Sequence, residues 1–148
     1  MVKKRFEIDP KRRFSSRVDN YSKFRPRYPQ INISFLETEK ILNKDSKIAD
    51  IASGTDILSE LFLKIGNIVY GIEPNIDMRN TAECLLKKYS TFKSINGSAE
   101  ATNMTEINID IITIGQAFHW FDKFIMLFSR FQLHISRAIM SFKIPLDV

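Results

Sequence analysis

Short apolar runs alternate with longer amphipathic segments through the middle of the chain. Runs at 48–52, 68–72, 92–96 and 109–114 have the composition of strands, and the last is apolar on both faces, as a central parallel strand requires. After the first two runs, apolar residues recur at helical spacing: Ile57, Leu58, Leu61, Phe62 and Ile65, then Met78, Ala82, Leu85, Leu86 and Tyr89. This alternation predicts an α/β fold built on a parallel sheet.

Turn and cap residues divide the chain further. Ser34 is placed to cap a helix over about 35–43, and Gly66 to end the helix that begins near residue 57. Residues 1–13 are basic and poor in apolar side chains, which predicts an exposed arm. We therefore expect one α/β domain over 14–122, followed by a tail over 123–148.

The net charge of +5 on 148 residues is unevenly distributed. Residues 1–27 hold ten basic and three acidic residues, whereas residues 28–122 hold eight basic and thirteen acidic ones. The tail has four basic residues and one acidic residue. The basic character therefore belongs to the ends, and the predicted sheet lies in an acidic middle.

The sequence argues against several classes of protein. Cys84 is the only cysteine, so neither an intrachain disulfide nor a thiolate metal site can form, and a reducing compartment such as the cytoplasm is expected. His119 and His134 belong to no ligand-spaced cluster, so we predict no metal. No apolar run approaches the roughly 18 residues of a membrane span.

The candidate chemistry lies where the predicted strands end, because ligands of open α/β sheets bind beyond the carboxyl ends of strands. Asp50 to Asp56 follow the first strand with small residues that allow a ligand to approach the backbone, and the next helix offers free N–H groups. An ordinary strand-to-helix turn explains this loop equally well. Glu73 closes the second strand, and an acid there can accept hydrogen bonds from both ribose hydroxyls.

Two later segments extend this candidate site. Ala99, after the third strand, would offer backbone groups to an adenine edge, although alone it carries little information. Gln116 to Phe121 follow the fourth strand with three aromatic residues that suit a pocket wall, while Phe118 and Phe121 are better explained as core residues.

Together these motifs resemble the class I S-adenosylmethionine-dependent methyltransferases. IADIASGTDILSELF is similar to the first motif of that family, VYGIEPN to the second, and GSAEA to the adenine-contacting segment. IGQAFHWFD and YSKFRPRYP resemble segments of the type 11, trans-aconitate methyltransferase-like subgroup. The likeness covers residues 14–122 and implies the Rossmann-like sheet of this family, incomplete at its C-terminal edge.

The resemblance implies a role for each matching residue. The cofactor would be S-adenosyl-L-methionine, bound by Asp50, Ala52, Ser53, Gly54, Thr55, Glu73, Ala99, Glu100 and Gln116. The substrate pocket would include Tyr21, Arg25, His119 and Trp120, and the acceptor would be a small molecule. Because the sulfonium is already a good leaving group, catalysis would consist mainly of positioning the acceptor and excluding water, and no catalytic base is assigned.

The sequence departs from the family pattern in the first loop and at its end. Ala52 and Asp56 stand where the family has glycines; Ala52 is tolerable if its φ is negative, whereas the Asp56 carboxylate is expected to repel that of the cofactor and weaken binding. After Asp122 the likeness is lost, although helical spacing continues through Ile135 and residues 138–144 could form a fifth strand. A truncated or frameshifted reading frame would explain this loss, and an uncovered sheet edge would favour self-association.

Two other functions compete with methyl transfer. The basic arm could allow a degenerate, non-enzymatic module to bind nucleic acid or a protein, but it contains no helical or zinc-finger recognition element, and a solvated tail explains it better. An NAD-dependent oxidoreductase is disfavoured by Ala52 and Ile57, which break the dinucleotide-binding glycine pattern.

Overall fold

The computed structural model describes residues 28–55, 57–105, 108–115 and 134–141. Three helices and five strands make up this part of the chain. In chain order they are α1 (Ile31–Thr38), β1 (Lys47–Ile51), α2 (Ile57–Lys64), β2 (Ile68–Ile72), α3 (Ile76–Leu86), β3 (Phe92–Ile95), β4 (Asn108–Ile114) and β5 (His134–Ser141).

The five strands form one parallel sheet in the order β3-β2-β1-β4-β5. β1 is central, with Ile48 opposite Val69 on one side and opposite Ile111 on the other. The chain order therefore reverses direction at β1: β2 and β3 lie to one side, β4 and β5 to the other. The predicted parallel α/β fold is confirmed, and the crevice beyond β1 and β4 is the switch point where such sheets bind ligands.

Two apolar clusters cover the two faces of the sheet. On one face, residues of α1 and α2 such as Leu36 and Phe62 pack with Ile48, Val69 and Ile111. The opposite face is formed by strand residues and by the segment after β3, namely Ala49, Ile51, Ile72, Ala99, Ile109, Ile112 and Ile114. Because β1 and β4 are buried on both faces, their sequences are apolar at successive positions.

The first helix differs from its prediction. α1 begins at Ile31 and ends at Thr38, so Ser34 lies inside the helix rather than capping it, and its carbonyl oxygen accepts a hydrogen bond from the Thr38 hydroxyl. The helix begins instead with bonds to the residues just before it, from the Asn32 amide to the Pro29 carbonyl and from the Ile33 amide to the Gln30 carbonyl. Lys40, in the left-handed conformation at φ +56°, directs the chain out of the helix before residue 43.

The second helix ends as predicted. α2 stops at Lys64, and Gly66 adopts φ +93°, a conformation that favours glycine. The Gly66 and Asn67 amides donate to carbonyls of the last helical turn, at Leu63 and Phe62 respectively. These bonds satisfy acceptors that a helix C-terminus leaves unpaired.

The fifth strand exists but begins earlier than predicted. β5 spans His134–Ser141 instead of 138–144, and it pairs with β4 with a register shift between Ile109 and Ile111. Ile135 lies in this strand, so its assignment to a helical pattern was wrong. The backbone N–H and C=O groups on the free side of β4 are paired by β5, and the spacing of apolar residues in the sequence does not reveal this pairing. No helix of the described part of the chain is long and apolar enough to cross a membrane.

Candidate active site

The loop after β1 turns sharply through two left-handed residues. Ala52 has φ +53° and Gly54 has φ +61°. The condition set for Ala52, a negative φ, is therefore not met: an alanine occupies a conformation that glycine adopts freely and that costs other L-residues roughly 1–2 kcal/mol. A Cβ on Gly54 would meet no atom within 4 Å among the described residues, so space remains open beside this part of the loop.

Two buried hydroxyls in this loop have no hydrogen-bond partner within the described part of the chain. Ser53 is 8% exposed and Thr55 is 2% exposed, and neither Ser53 Oγ nor Thr55 Oγ1 is paired there. Buried polar groups are nearly always satisfied in native proteins. Two such hydroxyls in one loop at the carboxyl edge of the sheet mark this loop as the candidate ligand site.

Glu73, which the sequence assigns to the ribose, joins the loop to the end of β2, and its role toward the ribose stays a prediction. Its Oε2 accepts from the Gly54 amide at 3.0 Å, and its Oε1 accepts from the Asn75 amide at 2.9 Å. The Ser53 amide also donates to the Ile72 carbonyl at 3.2 Å. Glu73 is only 8% exposed, so these backbone donors orient a largely buried carboxylate at the edge of the crevice.

Asp50 lies beneath the loop, at the centre of the sheet. Its Oδ2 accepts from the Ser59 hydroxyl at 2.7 Å and its Oδ1 from the Thr113 hydroxyl at 3.1 Å. All three residues are at most 1% exposed. The carboxylate thus joins β1, α2 and β4 below the loop, and its predicted contribution to cofactor binding would come through the shape of the loop.

The segment after β3 closes on itself beside the β2 end. The Ser98 amide donates to the Ala101 carbonyl, and a Cβ on Gly97 would overlap the carbonyl oxygen of Thr102. Ala99 is buried in the second apolar cluster, whereas Glu100 is exposed. The proposed adenine contacts of Ala99 and Glu100 stay predictions, and the sheet brings their segment next to Glu73.

Several predicted residues lie outside the described part of the structure. They are Gln116, His119 and Trp120 after β4, Tyr21 and Arg25 before α1, Asp56 in the first loop, and the basic arm at 1–13. Their assigned roles stay predictions. No group of three metal-ligating side chains occurs among the residues that are described.

Sequence reasoning missed Tyr28, Asn75 and Arg79, which the structure brings to the same edge of the sheet. Tyr28 is 4% exposed, and a Cβ on Gly115 at the end of β4 would lie 2.7 Å from its hydroxyl oxygen. Asn75 caps α3 by accepting from the Asp77 and Met78 amides. The capping pattern was readable in the sequence, whereas only the fold places Tyr28 beside Gly115.

Comparison with known proteins agrees with this geometry. Residues 49–132 match the methyltransferase domain family. An uncharacterised methyltransferase of Schizosaccharomyces pombe is 26% identical over 111 residues, which cover 74% of this chain and 43% of the relative. The chain therefore spans less than half the length of this relative.

Solved structures share the fold. A proposed type II methyltransferase from Anaeromyxobacter dehalogenans superimposes with a TM-score of 0.69 at 19% identity, covering 83% of this chain and 50% of that one. A glycopeptide N-methyltransferase in complex with S-adenosyl-L-homocysteine gives a TM-score of 0.62 at 14% identity, covering 78% and 48%. The matched domain and the shared fold are those of methyltransferases. The chain belongs to the methyltransferase domain family.

Proposed function

We propose that this chain binds S-adenosyl-L-methionine at the carboxyl edge of its sheet and directs the methyl group to a small-molecule acceptor. The observation that carries the proposal is the pair of buried hydroxyls of Ser53 and Thr55, which have no partner among the described residues and lie in a loop joined to Glu73 by the Gly54 amide. Motif likeness to the trans-aconitate methyltransferase-like subgroup supports a small acceptor rather than a macromolecule.

The residues present fit the two ends of such a cofactor. Ser53 and Thr55 offer hydroxyls, and the open space beside Gly54 admits the methionine part. Glu73 presents an oriented carboxylate for the ribose; a carboxylate has about four acceptor positions in all. Ala99 and Glu100 would border the adenine.

When bound, S-adenosylmethionine supplies an activated methyl group on a sulfonium centre. The work left to the protein is to hold donor and acceptor in line and to keep water out, which can account for much of a rate enhancement. Gln116, His119 and Trp120 would form the acceptor side of the crevice, and Tyr21 and Arg25 would close over it.

Calorimetry with S-adenosyl-L-homocysteine tests the proposal on the full chain. We expect saturable binding, weakened about 30-fold by Glu73→Gln, which corresponds to roughly 2 kcal/mol for lost hydrogen bonds to a charged group. Glu83→Gln, an exposed glutamate on α3, is the matched control and should bind like the parent chain. Absence of binding, or equal affinities for Glu73→Gln and the parent chain, would contradict the proposal.

Asp56 provides a separate test of how well the loop accepts the cofactor. Its carboxylate is expected near that of the ligand, and like charges at ~4 Å cost about 1 kcal/mol in water and more in a partly enclosed site. Asp56→Gly should therefore tighten S-adenosylhomocysteine binding by about fivefold or more. An unchanged affinity in the same titration would show that Asp56 does not face the ligand.

A further inference from the structure

We propose that Arg79 is a positioning residue that sets the orientation of Glu73 by joining the ends of β2 and β3. The inference rests on the proposed function, because Glu73 is the residue assigned to the ribose. Arg79 lies one helical turn after the Asn75 cap, on the first turns of α3, and it is half-buried. We use the name clasp for the hydrogen bonds of Arg79 to Glu73, Pro74 and Asn96, together with the bond between Asn96 and Asn103.

Arg79 Nη1 faces three acceptors with its two N–H groups, so one N–H is shared. It lies 2.8 Å from the Glu73 carbonyl oxygen, 2.9 Å from the Pro74 carbonyl oxygen and 3.0 Å from Asn96 Oδ1. All three acceptors are neutral oxygens, and Arg79 forms no ion pair with any residue of the described ranges. A charged donor strengthens each of these bonds relative to a neutral one.

The clasp begins where the strand ladder stops. The last paired residues of β2 and β3 are Ile72 and Ile95, followed by one more bond from the Glu73 amide to the Ile95 carbonyl. Beyond that point the two chains separate, one into the turn before α3 and the other into the loop that carries Ala99. Arg79 bridges this separation and takes the place of the missing ladder bonds.

On the β3 side, Asn96 is itself held by a hydrogen bond. The Asn96 carbonyl oxygen accepts from Asn103 Nδ2 at 2.9 Å, and Asn103 adopts the left-handed conformation at φ +54°. Asparagine tolerates that conformation better than most residues. The loop from 96 to 103 is thereby closed at its base, so Arg79 anchors to a fixed point.

On the β2 side, the clasp fixes the backbone that carries the Glu73 carboxylate. Arg79 holds the backbone carbonyls of Glu73 and Pro74, while the Gly54 and Asn75 amides hold the two carboxylate oxygens of Glu73. Backbone and side chain of Glu73 are therefore restrained from opposite directions. Without Arg79, we expect the turn at 73–75 to relax. The hydrogen bonds from the Gly54 and Asn75 amides to the Glu73 carboxylate should then weaken.

The experiment compares Arg79→Met, Arg79→Lys and the control Lys87→Met in the full chain. Lys87→Met removes one exposed positive charge at the C-terminal end of the same helix. The first readout is amide hydrogen exchange of Gly54 and Asn75 without ligand, and the second is calorimetric affinity for S-adenosylhomocysteine. The first readout tests the clasp even if the chain binds no cofactor.

In Arg79→Met we expect exchange at Gly54 and Asn75 to accelerate about fivefold, with the Ile48 amide unchanged, and the affinity to fall about tenfold, as for one lost charge-assisted bond. Arg79→Lys should recover part of both effects, and Lys87→Met neither. Unchanged exchange in Arg79→Met overturns the clasp. Faster exchange with unchanged affinity limits Arg79 to a structural role and overturns its positioning role, whereas absence of binding by the parent chain overturns the proposed function instead.

Discussion

The two edges of the sheet treat their polar groups differently. At the amino edge, Asn67 Nδ2 donates to the carbonyls of Asn43 and Ser46, and Asp110 accepts from the Lys47 amide. Asn67 Oδ1 has no partner among the described residues, but the same amide is held by two bonds. At the carboxyl edge, the hydroxyls of Ser53 and Thr55 have no hydrogen-bond partner among the described residues.

Backbone strain follows the same division. Lys40 and Gly66 adopt positive φ near the amino edge, but both follow helices, where a left-handed residue is a common way to end. Ala52 and Gly54 adopt it directly after a strand, and Ala52 is not a glycine. Among the described residues, the loop after β1 therefore combines a strained alanine with two unpartnered hydroxyls, which favours a ligand site at this edge.

The largest expected contrast is between two aspartates. Asp50→Ala leaves the buried Ser59 and Thr113 hydroxyls without their acceptor and should lower the free energy of unfolding by about 3 kcal/mol. Asp110→Ala, at the amino edge, loses the bond from the Lys47 amide and should cost about 1 kcal/mol. Urea denaturation measures both, and equal losses would show that the buried pairing beneath the loop adds no more stability than a bond at the amino edge.

The next contrast separates stability from binding. Asn67→Ala loses two donated bonds and should lower the free energy of unfolding by about 2 kcal/mol. The double variant Ser53→Ala with Thr55→Val removes two hydroxyls that have no partner among the described residues, so its unfolding free energy should change by less than about 0.5 kcal/mol.

The same double variant should weaken S-adenosylhomocysteine binding about fivefold, because the ligand then loses hydroxyl partners. Denaturation and calorimetry are run on one preparation of each variant. A strongly destabilised double variant would show that its hydroxyls support the fold rather than the site.

The smallest contrast concerns Ala52 itself. Ala52→Gly should raise the free energy of unfolding by about 1 kcal/mol, because glycine relieves the left-handed strain. Ala49→Gly, in the strand that precedes this loop, has no positive φ to relieve and should lower the free energy of unfolding by about 1 kcal/mol. Thermal or urea unfolding gives the sign of the change in each case. If both substitutions lower the free energy of unfolding, the left-handed conformation does not strain Ala52.

Local chemistry was sufficient for much of the fold. Strand runs near 48–52, 68–72, 92–96 and 109–114 appear within a residue or two of their predicted bounds. In β1 and β4 the reason is burial on both faces, which favours apolar residues at successive positions. The meeting of Glu73 with the first loop also followed, since the carboxyl ends of parallel strands share an edge. The true start of α1 could not be predicted from the sequence, because a serine that caps a helix and a serine inside one look the same in the local pattern.

The sequence by itself determined the parallel α/β class, and it predicted a site at the carboxyl edge around Glu73 and the 52–55 loop, since these depend on periodicity and chain order. Only the tertiary structure decided the φ of Ala52, the pairing of Asp50 beneath the loop, the early start of β5 and the clasp of Arg79. These depend on contacts between segments distant in sequence. Such contacts set dihedral angles and hydrogen bonds that no local pattern encodes.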